Sequence, residues 1–300
     1  MERLIGVYEG NGRGGAVLFV TAGIHGNEAS GVTALKKIFS ELGDHKPEIS
    51  GTVIGIRGNT EGLKAGKRYL DEDLNRVWTR ENILSGKADT SEKKEMFDII
   101  RSIDLFSSGK YREYYFLDCH TTSSATRPFI SVQDRGGNVG WAYRFPLPVV
   151  CGFSDIVNGC IDQYLSSSGM TGFVFEGGRH TAPSVVKHQE CMIWLAIEKA
   201  CGLHPGQIPG LPGLLRDFGN NDMEQSVFRI IYRHILQEGD RFVMQPGFAN
   251  FQKIGKGELL AIHNGREVVS RWDSYIFMPL YQSQGKDGFF IIERDEIHPA

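Results

Sequence analysis

The chain has 300 residues, of which 41% are hydrophobic and 23% charged, with 33 basic and 36 acidic side chains and a net charge of -3. That excludes a disordered or collagen-like chain and leaves length for one large domain, or one with a smaller companion, to bury its own core. The lack of a basic arm gives a nucleic-acid partner no electrostatic footprint, and an acidic ligand has to be captured by local arginines.

Residues 1–4 lead straight into a strand-like run without an apolar leader, and the longest apolar runs, such as 16–20, fall far short of a membrane span. Five cysteines without regular spacing argue against a disulfide framework. The expectation is a cytoplasmic protein, not membrane-bound, with reduced and mostly buried thiols. A homo-oligomer is compatible with this composition.

In chain order, residues 16–20 form a continuous apolar run, as in a strand buried on both faces. A helix is predicted over 28–42, with Val32, Leu35, Ile38, Phe39 and Leu42 at helical spacing and Gly43 placed to end it. A strand at 52–56 follows, then a helix over 91–106 with Met96, Ile99, Ile100 and Ile103 on its apolar stripe. A strand at 114–119, a helix at 156–165, a strand at 172–175 and a helix at 183–200 complete the alternation. This predicts an α/β sheet with helices on both faces. Residues 202–213 hold three prolines and four glycines. The predicted organisation is therefore a first domain over 1–202, a linker over 203–213 and a small all-β domain over 214–300. Strand candidates in the last fall at 241–244, 258–262, 267–271, 275–280 and 288–292.

Four short segments carry chemistry. In Gly23-Ile24-His25-Gly26-Asn27-Glu28, a His and a Glu three apart at a strand-to-helix corner can point at one centre, which suits Zn²⁺. His45-Lys46-Pro47-Glu48 has the same spacing, so location decides. His25 falls at the carboxyl end of a buried strand, where open α/β sheets bind ligands, whereas His45 follows a returning helix and belongs at the opposite rim. In Phe116-Leu117-Asp118-Cys119-His120-Thr121, Asp118 and His120 share one strand face. His120 reads as a third ligand or as a satisfied core histidine, with Asp118 polarising it. Cys119 faces the other way, which disfavours a Cys–His nucleophilic pair. Glu176, at the end of an apolar strand and beside Gly177 and Gly178, reads as a general base of raised pKa or as a partner of Arg179. The run Arg68-Tyr69-Leu70-Asp71-Glu72-Asp73-Leu74-Asn75-Arg76 reads as a solvated loop or as a carboxylate grip. In the second reading Asn75 and Arg76 hold the carboxylate, and Arg68 is free to stabilise an oxyanion.

Taken in order, these pieces resemble the zinc carboxypeptidase superfamily, and more closely the succinylglutamate desuccinylase/aspartoacylase family, over residues 16–200. The matching residues are His25 with Gly26-Asn27-Glu28, Arg68-Tyr69, Asp73-Leu74-Asn75-Arg76 and Asp118-x-His120-Thr121. The resemblance implies a zinc-carboxypeptidase-like mixed sheet with helices on both faces and a smaller C-terminal all-β domain. It implies one Zn²⁺ per chain on His25, Glu28 and His120, with Glu176 as base, Arg68 on the oxyanion and Asn75 and Arg76 on the substrate. The implied reaction is cleavage of the amide of a small N-acylated amino acid or related acidic amide, or of an ester. Ser166 stands where aspartoacylase has an arginine ten residues before the glutamate, and Tyr281 is the candidate for the family's substrate-binding tyrosine. Arg127 and Arg179 are candidate replacements for that arginine. The competing expectations are a carboxypeptidase-like peptidase, a binding protein on the same scaffold and a metal-free cysteine hydrolase built on Cys119.

Overall fold

The computed structural model describes residues 1–11, 14–107, 109–153, 156–219 and 225–295. The first part of the chain runs β1 (Leu4–Glu9), β2 (Ala16–Ala22), α1 (Ser30–His45), β3 (Gly51–Arg57), α2 (Thr60–Ala65), α3 (Arg80–Ser85), α4 (Ser91–Asp104) and β4 (Glu113–Thr122). It continues through β5 (Phe129–Ser131), α5 (Asn138–Ala142), β6 (Val149–Cys151), α6 (Ile161–Ser167), β7 (Thr171–Arg179) and α7 (Val185–Cys201). The remainder is α8 (Leu211–Gly219), β8 (Val227–Ile235), β9 (Phe242–Met244), β10 (Gln252–Ile254), β11 (Leu259–His263), β12 (Arg266–Val269), β13 (Ser274–Phe277) and β14 (Asp287–Arg294).

Eleven strands form one mixed sheet in the order β1-β3-β2-β4-β7-β5-β6-β8-β14-β13-β10, and β12-β11-β9 form a second, small sheet. Strands β3, β2, β4 and β7 are parallel neighbours. All seven residues of β2 and of β3 are buried, as expected of parallel strands covered on both faces. The alternation of side chains splits the core in two. Leu18 and Val20 pack with Leu35 and Ile38 of α1 and with Ile193 and Trp194 of α7 on one face. Val17, Phe19 and Phe116 pack with Met96 and Ile99 of α4 and Ile161 and Leu165 of α6 on the other. Helices therefore cover both faces.

Beyond α8, β8, β14, β13 and β10 are antiparallel neighbours, and β8 joins the larger sheet by pairing in parallel with β6. Residues 203–213 contain a 3₁₀ turn at Pro205–Gln207 and the start of α8, with Leu203, Ile208 and Leu211 buried in the core. Boundaries differ in two informative places. Gly43 lies inside α1, which continues to His45 and ends on Lys46 in the left-handed region, just before Pro47. The helix predicted from residue 156 begins only at Ile161, where Asn75 Oδ1 accepts a hydrogen bond from the Ile161 amide at 2.9 Å. Among the described residues no helix is long and apolar enough to cross a membrane.

Candidate active site

The chain leaves β2 through Gly23 in a left-handed conformation (φ +74°) and turns immediately into the segment carrying His25 and Glu28. Gly26 is required there: a Cβ would come within 2.0 Å of the Gly62 backbone, while the Gly26 amide donates to the Arg68 carbonyl at 3.1 Å. This close approach ties the β2–α1 corner to the loop bearing Arg68. His120 enters from the end of β4, the strand next to β2, and Glu176 from β7, where it is the register partner of His120.

His25, Glu28 and His120 each place one ligand atom so that all three lie within 4.8 Å of one another, and all are buried. His25 Nδ1 is 2.8 Å from Glu28 Oε1, and His120 Nδ1 is 3.2 Å from Glu28 Oε2. The far nitrogens are held from behind. His25 Nε2 lies 3.2 Å from Asp73 Oδ1, and His120 Nε2 lies 2.8 Å from Asp118 Oδ2, whose other oxygen accepts from Thr21 Oγ1 at 2.6 Å. Such carboxylates fix ring orientation and select which nitrogen faces the centre. Burial works against ionising Glu28, but the two imidazoles outweigh it and hold its carboxylate well below the usual range. His120 behaves conversely: burial disfavours its charge, yet Asp118 and Glu28 raise its pKa well above the ordinary value. Two imidazole nitrogens and a carboxylate form a donor set that fits Zn²⁺ with a coordination position left open.

Glu176 is 6% exposed, and its Oε2 has no hydrogen-bond partner in a buried position. Burial pushes its pKa up to about 8, with Glu28 adding to the rise and the charges of His120 and Arg68 opposing it. Arg68 is aimed by Asp73, whose Oδ2 accepts from Nη2 at 3.0 Å and Nε at 3.2 Å. Its Nη1 lies 3.7 Å from Glu28 Oε1. Asp73 therefore serves a histidine and an arginine at once. It lies within the charged run already noted, but nothing in that run distinguishes it from Asp71.

All seven site residues predicted from the sequence line one cavity, together with Asp162, Gln133, Leu280, Lys286 and Asp287 among others. Within it, Arg76 is already engaged. Its Nη2 donates to Asp287 Oδ2 at 2.6 Å, and Arg233 Nε donates to the other oxygen at 2.6 Å. The other predicted contributors lie elsewhere. Arg127 stacks 5.2 Å from the Phe251 ring centre, and Arg179 is exposed; neither lines the cavity. Tyr281 donates its hydroxyl hydrogen to the Gln245 carbonyl, and Ser166 accepts from Asn138. Cys119 is buried on the α1–α7 face, where burial raises its thiol pKa well above the ordinary value. The five cysteines are free and buried, and His45 is exposed at the end of α1.

Fold and site together define an α/β protein with a candidate metal centre at the carboxyl ends of its parallel strands. The chain belongs to the succinylglutamate desuccinylase/aspartoacylase family: the sequence profile of that family's catalytic domain matches residues 14–192. A succinylglutamate desuccinylase of Pseudomonas paraeruginosa is 27% identical over 116 residues, 38% of this chain and 33% of that protein. One of Pseudomonas syringae pv. tomato is 32% identical over 110 residues, 36% of this chain and 31% of the relative. The aligned stretch thus covers only a third or less of either relative's length. Among solved structures, succinylglutamate desuccinylase from Vibrio cholerae superposes with a TM-score of 0.69 at 12% identity, covering 95% of this chain and 82% of that one. Murine aminoacylase 3 superposes with a TM-score of 0.61 at 18% identity, covering 96% and 97%. These structural likenesses establish the shared fold.

Proposed function

We propose that this protein is a zinc-dependent deacylase that hydrolyses the amide of a small N-acylated amino acid or related acidic amide. The observation that carries this reading is a buried carboxylate, Glu176, with an unpartnered oxygen, in the same cavity as the His25–Glu28–His120 cluster. Family membership and the names of the relatives point the same way. Zn²⁺ bound by His25, Glu28 and His120 would polarise the scissile carbonyl and acidify water.

Every other step belongs to the protein's own side chains. Glu176, once ionised, takes a proton from the attacking water and delivers it to the leaving nitrogen. Arg68, held rigid by Asp73, stabilises negative charge as it develops on the carbonyl oxygen. Asp118 and Asp73 keep the two imidazoles oriented throughout. Arg76 and Asn75 bind the substrate's carboxylate. Because Asp287 and the substrate share the Arg76 guanidinium, that grip is weaker than a free arginine would give.

Metal analysis combined with kinetics tests the proposal. His25→Ala and His120→Ala should lose zinc, and His45→Ala should keep it. Glu176→Gln should retain zinc while losing ~10²–10⁴-fold in turnover across a panel of N-acyl amino acids. Near-normal kcat in zinc-replete Glu176→Gln would show that another group moves the proton.

A further inference from the structure

The cavity has a second polar wall that the deacylation chemistry does not use. Val174 and Glu176 are two apart on β7, and Val174 is the register partner of Asp118 on one side and of Ser131 on the other. Side chains at these positions point to the sheet face covered by α6, whose Ile161 and Leu165 pack with Phe116. Between that face and the start of α6 sit Ser131, Gln133, Cys160 and Asp162, all lining the cavity. Asp162 is 5% and Gln133 3% exposed. Gln133 Nε2 donates to Asp162 Oδ2 at 2.8 Å, which fixes the amide's orientation, since reversing it would set its oxygen against a carboxylate. Gln133 Oε1 is then left buried with no hydrogen-bond partner.

An acidic residue in the first turn of a helix is often there for the helix alone, stabilised by the positive end of its dipole. That account covers Asp162 but leaves Gln133 Oε1 orphaned, which carries a desolvation cost with no hydrogen bond to offset it. A donor arriving with a ligand removes the cost. The surrounding charges point the same way. Ser166, also on α6, accepts from Asn138 and brings no positive charge, and the nearby Arg76 is already paired with Asp287. Lys286, which lines the cavity from just before β14, is an exposed residue. The wall thus offers acceptors and a carboxylate, an environment hostile to a second anion.

We propose that Asp162 and Gln133 form a specificity subsite for an N–H donor, so that the far end of the substrate carries a primary amide or an ammonium group in place of a second carboxylate. This rests on the deacylase reading for the placement of the scissile amide. Asp162 pairs with an ammonium, Gln133 Oε1 accepts from either group, and a carboxylate at the same place meets like charge. The subsite is distinct from the grip of Asn75 and Arg76 on the substrate's first carboxylate.

Calorimetric titration of zinc-loaded Glu176→Gln protein with Nα-acetyl-L-ornithine, N-acetyl-L-glutamine and N-acetyl-L-glutamate tests it without requiring turnover. The ornithine or glutamine derivative should bind about tenfold or more tighter than the glutamate derivative. Adding Asp162→Asn, close in size and still able to accept from Gln133, should weaken the ornithine derivative about tenfold relative to the glutamine one. Gln133→Met should weaken the glutamine derivative while sparing the glutamate one. Glutamate-derivative binding as tight as the others, or an Asp162→Asn effect equal on all three, would overturn the subsite and leave Asp162 as a structural carboxylate. Failure of the deacylase reading shows separately, as absence of hydrolysis of any of the three by the zinc-loaded wild type, and leaves the binding order readable.

Discussion

Replacing Glu176 by glutamine should make the metal-free protein more stable than the wild type, and increasingly so as the pH rises. In the unfolded chain the carboxyl group ionises near its ordinary 4.5, whereas in the folded protein burial holds the value up at about 8. Between those limits the unfolded chain has released its proton while the folded one still binds it, so folding stability falls as pH increases. At 1.36 kcal/mol per pH unit, a span of about 3.5 units corresponds to about 5 kcal/mol lost by pH 8. Glutamine has no proton to release and escapes this loss. His120, Glu28 and Arg68 act on Glu176, so the comparison reads residue 176 together with its interactions with those neighbours. Urea unfolding with a strong chelator present, at pH 4.5, 6.5 and 8, should show a gap that widens by several kcal/mol toward the alkaline end. A gap that stays constant across this range would mean that burial does not hold Glu176 neutral, and the account of its proton affinity would fail.

Asp118→Asn should reduce zinc affinity by ~10–100-fold while leaving the three direct ligands intact, because His120 loses the carboxylate that orients it; competition against a chromogenic chelator measures this, and unchanged affinity counts against it. Arg76→Ala should chiefly raise KM and Arg68→Ala chiefly lower kcat, since the first contact is proposed for ground and transition states alike and the second for developing charge. Steady-state kinetics on the best substrate separates them, and a kcat effect confined to Arg76→Ala would reverse the assignment. Cys119→Ser should keep turnover within a few-fold of wild type, because the thiol is buried on the face away from the cavity with a raised pKa. A loss of two or more orders of magnitude would revive a cysteine mechanism.

Position at strand ends marks His25, His120 and Glu176 as candidates, and it is the family resemblance that joins them with Glu28, Arg68, Asn75 and Arg76 into one set. His25, His120 and Glu176 all follow apolar runs at strand ends, and parallel strands bring such ends together whatever the order of the chain between them. What supports them was not legible. Glu92 looks like any first-turn helix acid, yet it is buried and accepts from the amides of Leu70, Asp71 and Glu72 and from Asn59 Nδ2, shaping the loop that carries Arg68 and Arg76. Asp162 and Asp287 gain their meaning only from neighbours far away in sequence. The same limit applies to the fold. Strands β5 and β6 are three residues each, too short for any periodicity to register, and β8 shows neither a continuous apolar run nor strict alternation. Its pairing with β6 and β14 depends on partners that hydropathy patterns do not specify.

The link between Arg76 and Asp287 joins residues 211 positions apart. During synthesis this separates two events in time. His25, Glu28, His120 and Glu176 all precede residue 177, and the parallel strands that position them can pair while the later part of the chain is still on the ribosome. The wall containing Leu280, Lys286 and Asp287 is added only when β14 emerges and pairs with β8. A nascent chain can therefore bring the His25, Glu28 and His120 cluster together before the wall carrying Leu280, Lys286 and Asp287 closes the cavity over it.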